Sequence, residues 1–92
     1  MGKKKKATFK VKNENGLHIR PSTEFVKCAS SFDSEISLKY RNYIVNGKSL
    51  LGILMLAAGW GAKIEIEAIG YDAEEAVRSL LKLAKNRFNI RY

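Results

Sequence analysis

The chain has 92 residues, of which 46% are hydrophobic, and a formal net charge of +8 at neutral pH. A chain of this length holds a single hydrophobic core, so we expect one domain over residues 1–92. The single cysteine, Cys28, excludes an intramolecular disulfide and fits a reducing cytoplasm, and the single histidine leaves no Cys/His cluster, so we predict neither a metal site nor a cofactor.

A run of lysines at residues 3–6 supplies four of the positive charges. Blocks of like charge repel one another and are usually solvated, so residues 1–6 are predicted to be a basic, disordered N-terminal tail. An arm that binds nucleic acid or acidic partners is the alternative interpretation. The first strand is then expected at residues 7–12, where apolar and polar residues alternate.

The next segment holds the only histidine, His18, and the only proline, Pro21. Gly16 lets the backbone bend before the histidine, and proline suits the first turn of a helix, where its missing amide hydrogen has no helical partner. We predict a helix over residues 19–31, with His18 at or next to its N-cap.

This arrangement predicts an anion site that contains a nucleophile. The amides of Ile19 and Arg20 and the positive end of the helix dipole attract anions, and the dipole disfavours protonation of His18. A neutral imidazole keeps a lone pair for a phosphoryl group, and the Arg20 guanidinium suits phosphoryl oxygens. Because the sequence has no G-x-x-x-x-G-K-[ST] loop, the phosphoryl group is expected to come from another protein.

The middle of the chain predicts a β-hairpin, with strands at residues 35–40 and 43–45 joined by a tight turn. Ser49 follows and can cap a short apolar helix over residues 50–56. The apolar run of residues 50–60 is interrupted by glycines and is too short to span a bilayer.

The last third predicts a strand at residues 63–69 and a helix over residues 73–88. Asp72 is expected to cap this helix, with Glu75 completing a capping box. Together the elements predict an α+β fold in the order βαββαβα. We expect an open-faced sandwich, in which three helices cover one face of a four-stranded antiparallel sheet.

Residues 17–21, Leu-His-Ile-Arg-Pro, resemble the active-site signature of HPr, the histidine-containing phosphocarrier family of the bacterial phosphoenolpyruvate:sugar phosphotransferase system. Residues 46–54 are similar to the family's regulatory-serine segment, and residues 57–75 are similar to its C-terminal third. The two motifs stand in the family's order and at its spacing.

The resemblance implies a phosphocarrier rather than an enzyme. Phosphorylated enzyme I would transfer a phosphoryl group to Nδ1 of His18, and His18 would pass it to an enzyme IIA domain that serves sugar uptake. Arg20, with the backbone at Ile19, would hold the phosphoryl group, and Ser49 would be phosphorylated by a serine kinase where one exists. The docking surface for partners would consist of Leu50, Leu51 and Leu54. We expect a cytoplasmic monomer with no membrane partner.

Two other functions are compatible with parts of the sequence. A regulatory paralogue, such as the nitrogen-branch carrier, would use the same histidine for signalling rather than sugar uptake. A small basic nucleic-acid-binding module would need basic and aromatic side chains interleaved on one sheet face, and it is disfavoured because it leaves the His18 segment unexplained. Its candidate residues lie in the hairpin: Lys39, Tyr40, Arg41 and Tyr43.

Two residues depart from the family's pattern. Ile19 stands where the family usually has a small residue or threonine, which makes the rim of the site bulkier. Trp60 lies between two glycines, where the family usually has a polar residue. It is either an exposed loop aromatic or an added contact with a partner.

Overall fold

The computed structural model describes residues 2–90. Met1 of the predicted tail, and Arg91 and Tyr92 at the end of the predicted domain, lie outside the described residues. Within residues 2–90 the strands are β1 (Lys3–Lys10), β2 (Glu35–Tyr40), β3 (Tyr43–Asn46) and β4 (Lys63–Gly70). The helices in the same range are α1 (Ile19–Ser30), α2 (Leu50–Met55) and α3 (Ala73–Lys85), followed by a 3-10 turn at Arg87–Asn89.

The four strands form one antiparallel sheet in the order β1-β4-β2-β3. Alternate residues of each strand point to the helices and form the core, whereas their neighbours face solvent. The buried strand residues include Phe9, Ile36, Leu38, Ile64, Ile66 and Ala68. The predicted open-faced α+β sandwich and its element order are therefore confirmed.

Three phenylalanines form the centre of the core between the sheet and the helices. Phe9 of β1 lies with its ring centroid 6.5 Å from that of Phe25 in α1 and 5.9 Å from that of Phe88. Phe88 was predicted to belong to α3, but that helix ends at Lys85 and Phe88 has φ 56°. Phe88 is fully buried in this left-handed conformation. Packing of its ring in the core therefore replaces the further turn of α3 that the sequence predicts.

The predicted basic tail is wrong for residues 3–6, because these lysines form the first half of β1. They pair in register with β4, from Lys3 opposite Gly70 to Lys6 opposite Glu67. The Glu67 carboxylate lies 3.4 Å from Lys4 Nζ and 3.6 Å from Lys6 Nζ, which offsets the repulsion on which the prediction was based. Lysines on this edge strand also disfavour pairing with a further strand.

Asp72 precedes α3 as predicted, but its side chain makes no capping hydrogen bond, so the predicted capping box is wrong. Instead, the carboxylate accepts hydrogen bonds from the amides of Asp33 and Ser34, at 2.9 and 3.0 Å, and from the Ser34 hydroxyl. It thereby ties the start of α3 to the loop between α1 and β2. These hydrogen bonds, led by that of the Ser34 hydroxyl, hold the pKa of Asp72 below its usual value.

We expect Asp72→Asn to lower the free energy of unfolding at pH 7 and to flatten the acid limb of the stability curve. Because the folded-state pKa is depressed, the stabilisation is present above the unfolded-state pKa of about 4 and disappears as the pH falls through the folded-state pKa. Chemical denaturation from pH 7 to pH 2 measures the effect. Ser34→Ala should cause a smaller loss of the same sign, and parallel curves for Asp72→Asn and the parent protein would contradict this account.

Candidate functional site

His18 is the N-cap residue of α1, with extended backbone angles of φ −75° and ψ −171°. Its carbonyl accepts the first helical hydrogen bond, from the Ser22 amide at 3.1 Å. Pro21 therefore occupies the third helical position and is buried there. The His18 side chain is half-buried, and its Nε2 atom is buried. The structure thus decides which residue caps the helix, which the sequence had left open because proline disfavours helical geometry at the preceding residue.

The loop before His18 rests on the loop after α2. The Leu17 amide donates to the Ala58 carbonyl at 2.9 Å, and Gly16, at φ 71°, lies directly against the backbone of Ala58 and Gly59. On the helix side, the buried Ser22 hydroxyl donates to the Leu17 carbonyl at 2.9 Å. Both backbone groups of Leu17 are therefore held, and this fixes the backbone that carries His18.

The first turn of α1 presents positive charge and no acidic residue. Ile19 and Arg20, the first two residues of the helix, have exposed side chains, and their amides belong to the helix N-terminus. The helix dipole and the Arg20 guanidinium both favour an anion at this end of α1. The arrangement can therefore accommodate a negatively charged group next to the His18 imidazole.

Ser49 caps α2 as predicted. Its hydroxyl accepts a hydrogen bond from the Gly52 amide at 3.0 Å. Ala58, which holds the His18 loop, follows the opposite end of this helix, and six residues of α-helix span about 9 Å. The structure therefore does not bring Ser49 into the His18 site but places it at the far end of α2.

The three leucines predicted for docking differ in exposure. Leu51 is 68% exposed and Leu50 is 36% exposed, whereas Leu54 is half-buried. The prediction omitted Met55, which is 74% exposed. Met55 lies four residues after Leu51, on the same side of the helix, and this spacing was the available signal.

Other exposed apolar side chains lie on the elements that hold the His18 loop. Ile19, in the first turn of α1, is 61% exposed, and Trp60, in the loop after α2, is 72% exposed. Together with Leu51 and Met55 they make up what we call the exposed apolar set. Burial of these apolar side chains by a partner protein would be favourable, because it removes apolar surface from water.

The basic and aromatic residues of the hairpin do not share one sheet face. Lys39 pairs with Ile44 and faces solvent on the uncovered side of the sheet, whereas Tyr40 pairs with Tyr43 on the side of the helices. The Arg41 guanidinium lies 5.1 Å from the centre of the Tyr40 ring. Lys39 therefore does not share a sheet face with the two tyrosines, and the four residues do not form a single stacking platform for single-stranded nucleic acid.

Within residues 2–90, no group of three or more His, Cys, Asp or Glu side chains could hold a metal ion. Burial raises the pKa of the Cys28 thiol above its usual value, which disfavours the thiolate. None of the helices in the described part of the chain is long and apolar enough to cross a membrane.

A family model described as "PTS HPr component phosphorylation site" matches residues 5–86 of the chain. Among curated proteins, the phosphocarrier protein HPr of Neisseria meningitidis serogroup A is 42% identical over 83 residues. The match covers 90% of this chain and 93% of that relative. The range that the family model matches includes both His18 and Ser49.

Solved structures resemble the chain over nearly its whole length. HPr-C-His from Thermoanaerobacter tengcongensis superposes with a TM-score of 0.91 at 39% identity, covering 96% of this chain and 99% of that chain. The structure of an HPr dimer from the same bacterium superposes with a TM-score of 0.75 at 40% identity, covering 91% and 97% respectively.

Proposed function

Because the chain belongs to the HPr family of phosphocarrier proteins of the phosphotransferase system, we propose that His18 accepts a phosphoryl group from phosphorylated enzyme I and passes it to an enzyme IIA domain in sugar uptake. The observation that carries the proposal is the position of the only histidine, at the N-cap of α1. A helix N-terminus stabilises the negative charge that a phosphorylated imidazole would bear.

In the proposed transfer, a ring nitrogen of His18 attacks the phosphorus atom of the phosphohistidine on enzyme I. The new N–P bond forms as the old one breaks, and the enzyme I imidazole leaves. Burial of Nε2 supports Nδ1 as the attacking nitrogen. Arg20 and the amides of the first turn would then stabilise the phosphoryl oxygens by charge-assisted hydrogen bonds.

The same site would act twice, first as acceptor and then as donor. A carrier must hold the phosphoryl group without burying it, because the next protein has to reach the phosphorus atom. The half-buried imidazole and the exposed side chain of Arg20 suit this requirement. Access for two successive partners also favours a monomer as the acting form, although one of the related structures is of a dimer. We place the relay in the cytoplasm, as is general for the family.

Incubation with phosphoenolpyruvate and enzyme I tests the proposed function. The expected product carries one phosphoryl group that is labile in acid and stable in base, as a phosphohistidine is. Addition of a cognate enzyme IIA domain should then remove the group from the carrier. If the chain takes up no phosphoryl group from active enzyme I, the proposed function is wrong.

We further propose that Ser49 is a site of regulatory phosphorylation, and we expect Ser49→Asp to slow phosphotransfer from enzyme I severalfold. The added negative charge would lie beside Leu50 and Leu51, on the surface proposed for docking, and would disfavour an acidic partner. Thermal stability should change little, because aspartate is also a good N-cap residue and suits the helix dipole.

The matched control for this prediction is Ser49→Ala. It removes the hydrogen bond to the Gly52 amide and should cost about 1 kcal/mol of stability, but it adds no charge and should leave the transfer rate unchanged. Quenched time courses of phosphotransfer and thermal melts of both variants separate the effect on the transfer rate from the effect on stability. Equal transfer rates for Ser49→Asp and the parent protein would refute a regulatory effect of charge at this position.

A further inference from the structure

We propose that Trp60 is an additional anchor for enzyme I, the protein that brings the phosphoryl group to His18, and that the indole enters an apolar recess beside the phosphoryl-bearing group of enzyme I. The inference rests on the proposed function and adds a residue that distinguishes this chain from the family's usual pattern. It starts from the exposure of Trp60, the only tryptophan of the chain, which is 72% accessible to solvent.

An exposed indole contributes little to the stability of this fold, since most of its apolar surface remains in water. The same surface stabilises a complex when a partner covers it. Tryptophan is strongly enriched among the residues that dominate binding energies at protein interfaces. The sequence and structure therefore point to a role of Trp60 outside the folded monomer.

The loop that carries Trp60 is held by backbone hydrogen bonds. The Gly61 amide donates to the Val11 carbonyl, and the Val11 amide donates to the Ala62 carbonyl, each at 2.8 Å. The Ala62 amide in turn donates to the Gly59 carbonyl at 3.1 Å. Because the backbone on both sides of Trp60 is already ordered, binding through the indole costs less conformational entropy than binding through a mobile loop.

The same loop supports the His18 segment. Ala58 accepts the hydrogen bond from the Leu17 amide, and the Cα atom of Gly59 lies against Gly16, two residues before His18. A protein that brings a phosphorus atom to His18 therefore approaches the element from which Trp60 projects. Ile19, which follows His18 in the first turn of α1, is a second exposed apolar side chain that the same protein would meet.

Two exposed lysines flank the loop that carries Trp60, and they indicate the charge of the partner surface around the indole. Lys12 follows Val11 and Lys63 follows Ala62, and both side chains are exposed. An apolar centre with a charged rim is the usual composition of a reversible protein interface. The recess that receives Trp60 is therefore expected to have acidic residues at its edge.

Steady-state phosphorylation by phosphoenolpyruvate and enzyme I tests the proposal. We expect Trp60→Ala to raise the KM for the carrier about tenfold with little change in kcat, as loss of a binding anchor does. Trp60→Phe should recover part of the affinity. The matched control is Tyr71→Ala, because Tyr71 is 75% exposed and hydrogen-bonds Asp33, beyond the opposite end of α1 from His18.

The fluorescence of the single tryptophan gives an independent measurement. After subtraction of the same titration of Trp60→Phe, titration of the parent protein with unphosphorylated enzyme I should shift the indole emission to shorter wavelength, as water is excluded from the ring. An unchanged KM for Trp60→Ala together with unshifted emission would overturn the proposal while phosphorylation of His18 still upheld the proposed function. Absence of phosphorylation in the parent protein would overturn both.

Discussion

Replacing His18 by alanine is expected to abolish phosphorylation by phosphoenolpyruvate and enzyme I, the largest functional effect that we predict. His18 is the only histidine of the chain, so no neighbouring imidazole can replace it. The assay is uptake of labelled phosphoryl groups from phosphoenolpyruvate, followed by acid treatment. Acid hydrolyses a phosphohistidine but leaves a phosphoserine intact, so the same treatment separates a group on His18 from one on Ser49.

The His18→Ala variant should remain folded, which makes its loss of activity interpretable. The first hydrogen bond of α1 uses the backbone carbonyl of residue 18, and alanine keeps that carbonyl. The hydrogen bond from the Ser22 hydroxyl to the Leu17 carbonyl, which fixes the backbone before residue 18, also remains. A thermal melt close to that of the parent protein is the control, and acid-labile phosphate on a folded His18→Ala variant would disprove the assignment of the acceptor.

Replacing Gly16 by alanine is expected to have the largest effect on the structure of the site. Gly16 has φ 71°, and this left-handed conformation costs about 1–2 kcal/mol for a residue with a side chain. A Cβ atom here would also collide with the Ala58 carbonyl oxygen and lie 2.7 Å from the Cα atom of Gly59. Because the clashing atoms belong to the backbone, no side-chain rotation can relieve the clash. We therefore expect the free energy of unfolding to fall by at least about 2 kcal/mol.

The same substitution should slow phosphorylation of His18 by about tenfold or more in the molecules that remain folded. The two loops would have to separate, which would weaken the hydrogen bond from the Leu17 amide and move the imidazole two residues away. Displacements of about 1 Å cost transfer reactions up to about a hundredfold in rate. Denaturation curves and single-turnover phosphorylation measure the two effects separately.

Gly59→Ala is the matched control for Gly16→Ala. It adds the same methyl group to the neighbouring loop, but apart from its own chain neighbours a Cβ atom at position 59 meets no atom within 4 Å. Stability and transfer rate should therefore stay close to those of the parent protein. If Gly16→Ala behaves like Gly59→Ala, the packing of the two loops does not position His18.

The local elements and the candidate site could be predicted because their signals lie in short stretches of sequence. Alternation in β2 and β4, the Ser49 cap and the segment from Gly16 to Pro21 depend on neighbours within a few residues. The same local reasoning failed where distant residues compete. The lysines at residues 3–6 were assigned to a tail because the ion pairs that two of them form with Glu67 depend on the pairing of two distant strands. The Asp72 carboxylate was assigned to α3 because its hydrogen bond with Ser34 joins residues that are far apart in the sequence.

By itself, therefore, the sequence determined the fold class, the helix that begins after His18 and the chemistry that a histidine, an arginine and a helix N-terminus can perform together. Only the tertiary structure decided that the Ala58–Gly59 backbone lies against the His18 loop, that Ser49 stands at the far end of α2, and that Trp60 is exposed in the loop that supports the site. The reason is that periodicity and capping are local properties of a chain. Contacts between its distant segments depend on how the sheet and helices close around one core.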